Sequence, residues 1–313
     1  MKVMRLADSS ESPKLIEATL PQPEAGPGQV LIRVSAAGIT PTELDWYPTT
    51  HDRSGGPRTG AVPSHEFSGT VAAVGPDVRD FTPGQAVFGM NDWFDQGALA
   101  EYCVTEASFI APAPITLNPI KAATVPIGAL TAWQGLFERG HLHPGDRVLI
   151  HGGAGAVGHL AIQLAHLHGA YVIATASPAS FPFLRQLGAS EVIDYHTTRF
   201  EEAVTQPVDI VFDTVGGDTL LRSLPLVKQD RFAITIAADG ESSEDPRVKH
   251  AFFIVRPNQR QLMEVATLID TSKLRTFVDA IVPFAQAGDA YSHKLPNRSG
   301  HGKIVVTVNP PTV

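Results

Sequence analysis

Between His151 and Gly158 the chain reads His-Gly-Gly-Ala-Gly-Ala-Val-Gly, so that Gly153, Gly155 and Gly158 satisfy the spacing G-x-G-x-x-G. The context gives that spacing its meaning. An apolar run of strand length, Arg147–His151, leads into it, and a helical pattern over Gly158–His168, with Leu160, Ile162, Leu164 and Leu167, follows. In such a turn Gly153 allows the tight bend, Gly155 lets the backbone approach a pyrophosphate, and Gly158 brings the helix close to the strand. The backbone at Ala156, Val157 and Gly158 then turns unpaired N–H groups and the positive end of the helix dipole toward phosphate. A glycine-rich turn with no ligand is the bland alternative, and the register of strand, glycines and helix counts against it.

The residues that choose between dinucleotides lie about 20 positions on, where NAD binders place an acid against the ribose 2′-hydroxyl. Here the run is Ile173-Ala174-Thr175-Ala176-Ser177-Pro178-Ala179-Ser180, with no acid. A carboxylate would repel a 2′-phosphate, so its absence, with hydroxyls at Ser177 and Ser180, favours NADPH. Arg185 and Tyr195 can add donors. The plainer reading makes Ser177 a helix cap and Arg185 a solvated charge.

The elements that must position these residues are legible in texture. From Leu31 onward short β-branched runs are punctuated by Pro and Gly, which reads as a β-rich region. After about Leu117 apolar runs alternate with helical patterns, as in βαβ units. Six such runs, Arg147–His151, Tyr171–Ala176, Glu191–Tyr195, Val208–Asp213, Phe232–Ala237 and Phe252–Val255, fill one doubly wound parallel sheet. A second helix is expected over Ser180–Leu187, with Gly169 and Gly188 as C-terminal caps. The closing strand Lys303–Val308 falls outside the alternation and is expected to return to the first region. The chain of 313 residues thus divides into about two domains.

Composition sets the outer bounds. Hydrophobic residues at 43% and charged residues at 18% exclude a disordered chain, and a net charge of -8 with no basic stripe argues against nucleic acid. No run is long and apolar enough to suggest a membrane span, and Arg5 and Asp8 break any signal-peptide core, so a reducing, cytoplasmic location is expected. The single cysteine, Cys103, can form neither an internal disulfide nor a multi-cysteine zinc site, and reads as a small buried apolar residue.

Together these motifs resemble the medium-chain dehydrogenase/reductase superfamily, in its zinc-independent, quinone-oxidoreductase-like branch. The segments that carry the resemblance are Gly38–Glu43, Pro63–Val71, Pro126–Trp133, the glycine turn with Gln163-Leu164-Ala165, Leu187-Gly188-Ala189, Phe212–Gly217 and Gly302–Val305. The resemblance implies an α/β protein with a GroES-like β-rich catalytic domain (1–117 and 272–313) and an inserted Rossmann NADPH-binding domain (118–271). It implies that Thr131, Val215, Phe253, Val255 and Lys303 join the glycine turn in lining the cofactor cleft. Zinc-dependent relatives hold the metal with a cysteine at the motif aligned with Gly38-Ile39-Thr40, with the histidine aligned with His65, and with a second cysteine near Pro126–Ala129. This chain keeps only His65, so no metal is expected. Glu43 and Glu66 are then polar braces of the cleft and His65 a hydrogen-bonding wall residue, while His141, His143, His159, His166 and His168 read as solvated positions.

Without a Lewis acid an unactivated alcohol is hard to oxidise, whereas a quinone or an α,β-unsaturated carbonyl accepts hydride readily. Thr40 and Tyr47 are the candidate catalytic residues, as hydroxyl donors to the acceptor carbonyl. Trp46 and Tyr47 either line a flat pocket or fill the core. The competing reading is a nucleotide-binding protein with negligible turnover. A homodimer is expected through the run Phe252–Val255, an apolar edge strand that invites pairing.

Overall fold

A computed structural model describes residues 1–7, 14–237, 240, 243–292 and 295–309. The β-rich texture resolves into two assemblies. Strands β1 (Lys2–Leu6) and β2 (Leu15–Thr19) pair with one another. Strands β3 (Gln29–Gly38), β4 (Glu66–Val74), β5 (Ala86–Met90), β6 (Tyr102–Glu106) and β7 (Ile110–Pro112) belong to a seven-stranded sheet centred on β3. One face of that sheet is sealed by Val30, Ile32, Val34, Phe67, Val87 and Ile110, all fully buried. Cys103 lies in this core too, and burial pushes its thiol up to about 12.

The βαβ texture gives the second sheet. Strands β8 (Arg147–Ile150), β9 (Tyr171–Ala176), β10 (Glu191–Asp194), β11 (Val208–Asp213) and β12 (Val227–Thr235) lie in the order β10-β9-β8-β11-β12, each parallel to its neighbours. Every residue of β11 is buried, as a strand covered on both faces requires. The helix Gly158–Leu167 follows β8, and Phe181–Gln186 follows β9. Gly169 and Gly188 take the left-handed conformation after these helices, with φ of 85° and 104°.

The last strands return to the first sheet. β14 (Lys303–Thr307) runs antiparallel to β3, pairing Val305 with Gly38 and Val306 with Ala37, and parallel to β13 (Val278–Pro283). Lys303 is thereby delivered next to the end of β3, beside Thr40.

Two expectations change. The run Phe252–Val255 is not a sixth strand: it contributes one parallel bridge, Phe252 to Thr235, after which the backbone is claimed by side chains. Arg139 donates to the Phe252 carbonyl (2.8 Å), Trp93 Nε1 to the Val255 carbonyl (3.0 Å), and Gln134 pairs with both the N–H and the carbonyl of Arg256 (3.0 and 2.8 Å). Pro257 then removes the next donor. The fifth strand also begins earlier than Phe232 and ends at Thr235. In the stretch Ala238–Lys249 that precedes this run, residues 238–239 and 241–242 lie outside the described residues.

Candidate active site

The glycine turn joins β8 to its helix as the spacing requires, with the roles of the glycines redistributed. The left-handed residue is Gly152, at φ 72°, and not Gly153. Gly153 is needed for space, since a Cβ there would stand 3.1 to 3.2 Å from Ile162, Leu184 and Ala174. At Gly158 a Cβ would come within 2.2 Å of the Gly152 carbonyl oxygen, so this residue fixes the close approach of helix and turn. At Gly155 the nearest atom is 3.4 Å away, the Gly152 oxygen. That open position is the one a pyrophosphate needs, and with the unpaired N–H groups of Ala156, Val157 and Gly158 at the helix start the turn fits a dinucleotide.

The histidines around this turn are not all solvated. His159 is fully buried, not solvated, and its Nδ1 meets the Gly155 carbonyl oxygen at 2.8 Å. Burial pushes both His159 and the equally buried His151 down to about 4, so each stays neutral near neutral pH. Helical periodicity placed His159 on a face that points inward, and the polar side chain hid that from the reading. His141, His143, His166 and His168 are exposed as expected.

At the end of β9, Ser177 makes no side-chain cap, which leaves its hydroxyl available to a ligand. Arg185 is exposed, lies over the Phe181 ring at 5.7 Å, and lines a groove with Gln163, His166 and Arg275. Tyr195 is exposed and leans on His196 at 4.1 Å. Val215 is exposed beside Gly152, Thr131 is buried in the helix Pro126–Trp133, and Val255 is buried under Trp93. Phe253 is half-buried, with the Arg139 guanidinium over its ring.

Beside Thr40 the chain assembles a buried polar cluster. Lys303, 3% exposed, forms an ion pair with the fully buried Glu66, and its Nζ donates to Thr40 Oγ1 at 3.4 Å. Burial pulls the ammonium down to about 8, against the opposing pull of Glu43. Glu66 is fixed in turn, because its other oxygen accepts the Ile127 N–H at 2.9 Å. Glu43 accepts from Tyr291 Oη (2.7 Å) and from the Ser64 N–H (3.1 Å), and it faces His65 Nδ1 at 3.1 Å. Desolvation and the Glu43 charge raise the Tyr291 phenol well above its ordinary range. Ser64 reaches this arrangement with φ of 67°, a conformation secured by a hydrogen bond from its Oγ to the Gly38 carbonyl (2.8 Å). The residues that sequence reasoning left unconnected were Tyr291 and the Lys303–Glu66 pairing, since partners so far apart leave no local signal.

The aromatic pair divides. Trp46 turns inward, edge-on to Trp93 at 5.1 Å, while Tyr47 is 53% exposed and stacks on His51 at 4.4 Å. Tyr47 therefore does not fill the core. The cluster and the glycine turn meet through the backbone: the Gly302 N–H donates to the Ala154 carbonyl at 3.1 Å, directly before Lys303.

Known proteins share this fold. Residues 26–115 match the alcohol dehydrogenase GroES-like domain and residues 187–306 a zinc-binding dehydrogenase domain. The quinone oxidoreductase of Coxiella burnetii superposes with a TM-score of 0.86 at 32% identity, over 98% of this chain and 99% of that one. The trans-enoyl reductase pgmF of Aspergillus terreus is 31% identical over 96% of this chain and 95% of its own. The chain belongs to the medium-chain dehydrogenase/reductase family, in its quinone-oxidoreductase-like branch. The mitochondrial NAD(P)H oxidoreductase RTN4IP1 of Danio rerio, 28% identical over 90% of this chain and 84% of its own, is a further relative.

For a medium-chain oxidoreductase, the donor set decides whether zinc fits. Both ring nitrogens of His65 already face protein oxygens, Nδ1 that of Glu43 and Nε2 the Asp95 carbonyl at 3.3 Å. Thr40 and Glu66 face the Lys303 ammonium. Among the described residues no three His, Cys, Asp or Glu side chains converge as a metal site. The residues present do not fit a catalytic zinc. No helix among the described residues is long and apolar enough to cross a membrane.

Proposed function

We propose that this oxidoreductase reduces quinones or α,β-unsaturated carbonyls with NADPH and without a catalytic metal. The observation that carries the reading is the buried Lys303–Glu66 pair beside Thr40, joined to the glycine turn through Gly302. The nicotinamide cofactor, when bound, supplies the hydride. The chain then has to orient the acceptor and offer its oxygen a hydrogen bond. Lys303 donates to Thr40 Oγ1, which leaves the Thr40 proton to be donated to the acceptor carbonyl. Glu66 keeps the ammonium in place, and Glu43, tied to Tyr291 and Ser64, braces the wall behind it. Tyr47, exposed and stacked on His51, is the second hydroxyl that this reading assigns to the acceptor.

The names of the quinone oxidoreductase and trans-enoyl reductase relatives support the acceptor class. The acid-free turn at Ser177 supports NADPH over NADH, and Ser177→Asp is expected to reverse or erase the preference. NADPH consumption with a panel of quinones and enones tests the activity; tight binding without turnover on the whole panel would favour the non-catalytic reading. Chelators are expected to leave turnover unchanged, and one zinc per chain by elemental analysis would overturn the metal-free mechanism.

A homodimer through the run Phe252–Val255 is proposed with a narrower basis, since Ile254 is 45% exposed but the run makes only one bridge to its sheet. Light scattering on the wild type and on Ile254→Lys tests it. A cytoplasmic location is proposed on the buried, unpaired Cys103; the mitochondrial names of relatives make cell fractionation the test.

A further inference from the structure

The turn after β9 carries the hydroxyls of Ser177 and Ser180, and the nearest cation in sequence, Arg185, stands on the helix that follows. Ser180 N–H donates to the Ser177 carbonyl at 3.0 Å, closing one tight turn, while the Arg185 guanidinium lies 5.7 Å from the Phe181 ring centre. The group that reaches the turn comes from 121 positions away: His301 Nε2 meets Ser180 Oγ at 3.2 Å. The imidazole lies nearly parallel on Phe183, with ring centroids 4.1 Å apart and an interplanar angle of 16°. Its backbone is held on both sides. The His301 N–H donates to Ser299 Oγ at 3.2 Å, and the next residue, Gly302, bonds the glycine turn at Ala154. The ring is thus fixed at the seam between the serine turn and the glycine turn.

A 2′-phosphate brings charge that hydroxyls alone do not neutralise, whereas the 2′-hydroxyl of NADH brings none. We propose that His301 is the cationic arm of the 2′-phosphate subsite, carried to the Rossmann sheet by the segment that leads into β14, and that it sets the preference for NADPH over NADH. This inference rests on the NADPH reading above. The groups packed around the ring do not compete for the role. His159, from the helix Gly158–Leu167, is buried and neutral. Asp279 on β13, reached through Ser299, is already paired with Arg298 at 2.6 Å. Ser180 and Phe183, which meet the ring, carry no charge.

Equilibrium binding of NADPH and NADH, followed by nicotinamide fluorescence at about pH 6 and about pH 8, tests whether a cation at this position sets the preference. His301→Gln is expected to weaken NADPH about tenfold at the lower pH and to leave NADH within about twofold. His301→Lys, charged throughout, is expected to keep the NADPH preference and to extend it to the higher pH, and it reports the phosphate's own titration as a control. A wild type that prefers NADPH, with a Gln variant that keeps the same preference or weakens both cofactors equally, overturns the role of His301 and leaves the NADPH reading standing. A wild type that binds both cofactors equally overturns that reading and this inference with it. Should the Gln variant fail to fold by circular dichroism, the Lys variant decides alone: a preference that fades at the higher pH as in the wild type overturns the proposal.

Discussion

The glycine turn draws everything it needs from β8 and the helix Gly158–Leu167, whereas the cluster beside Thr40 joins β3, β4 and β14, with Thr40 and Lys303 separated by 263 positions. The turn is maintained by space: one left-handed glycine and two others whose missing Cβ atoms admit neighbouring groups. The cluster is maintained by charge, each buried carboxylate being held by donors from another segment. A local, steric device announces itself in sequence and fails by degrees. A long-range, electrostatic one is silent in sequence and fails when a single partner is removed.

Four measurements test that contrast. The largest effect is expected at Lys303. Lys303→Met leaves the Glu66 carboxylate buried without its cation and should cost about 3–5 kcal/mol in urea unfolding, most of it recovered in Lys303→Met with Glu66→Leu. A single variant that loses under about 1 kcal/mol would mean that the cluster is not held by charge.

Acid strains the turn next. His151 and His159 are buried and neutral, with folded values of about 4 against 6.5 for the exposed ring. The unfolded chain therefore binds more protons than the folded one below pH 6.5. Stability present above that value should be lost as pH falls toward 4, by up to about 3 kcal/mol for each histidine. His159→Gln should flatten the slope of stability against pH, and an unchanged slope would mean that His159 does not titrate on unfolding.

Gly158→Ala sets a Cβ against the Gly152 backbone and should cost about 1–3 kcal/mol together with cofactor binding. Gly155→Ala is the smallest in stability, under about 1 kcal/mol, because the position is open. It should nevertheless weaken the dinucleotide about tenfold, since the methyl occupies the phosphate's approach. Thermal melts and cofactor titrations of the two variants, side by side, separate packing from binding; equal losses in both would erase the distinction drawn between these glycines.

The parallel sheet was legible because its strands are short apolar runs bounded by glycine and helix, and β9 and β11 begin and end where the residues suggest. The run Phe252–Val255 has the same texture and fails as a strand because Arg139 and Trp93, remote in sequence, take its carbonyls at Phe252 and Val255, and Gln134 holds the next residue, Arg256. In the site, hydroxyls and glycines were readable, but not which partners meet them. Ser64, His65 and Glu66 stand together in sequence, and nothing in their neighbourhood announces Tyr291 or Lys303 as their counterparts. His301 was readable in principle, as a histidine between Gly300 and Gly302 just ahead of the closing strand.

The place of β14 between β3 and β13 also orders the assembly of the chain. The five parallel strands pair with one another within residues 147 to 235, so their ladder is complete in the chain long before the closing strand has emerged from the ribosome. β3 has to wait for β14, nearly the whole length of the chain later, and such distant pairings are slow to find. During that interval the edge of β3 that β14 will cover stays open to other chains, so a nascent or truncated protein ending before Lys303 should be the form most prone to aggregate.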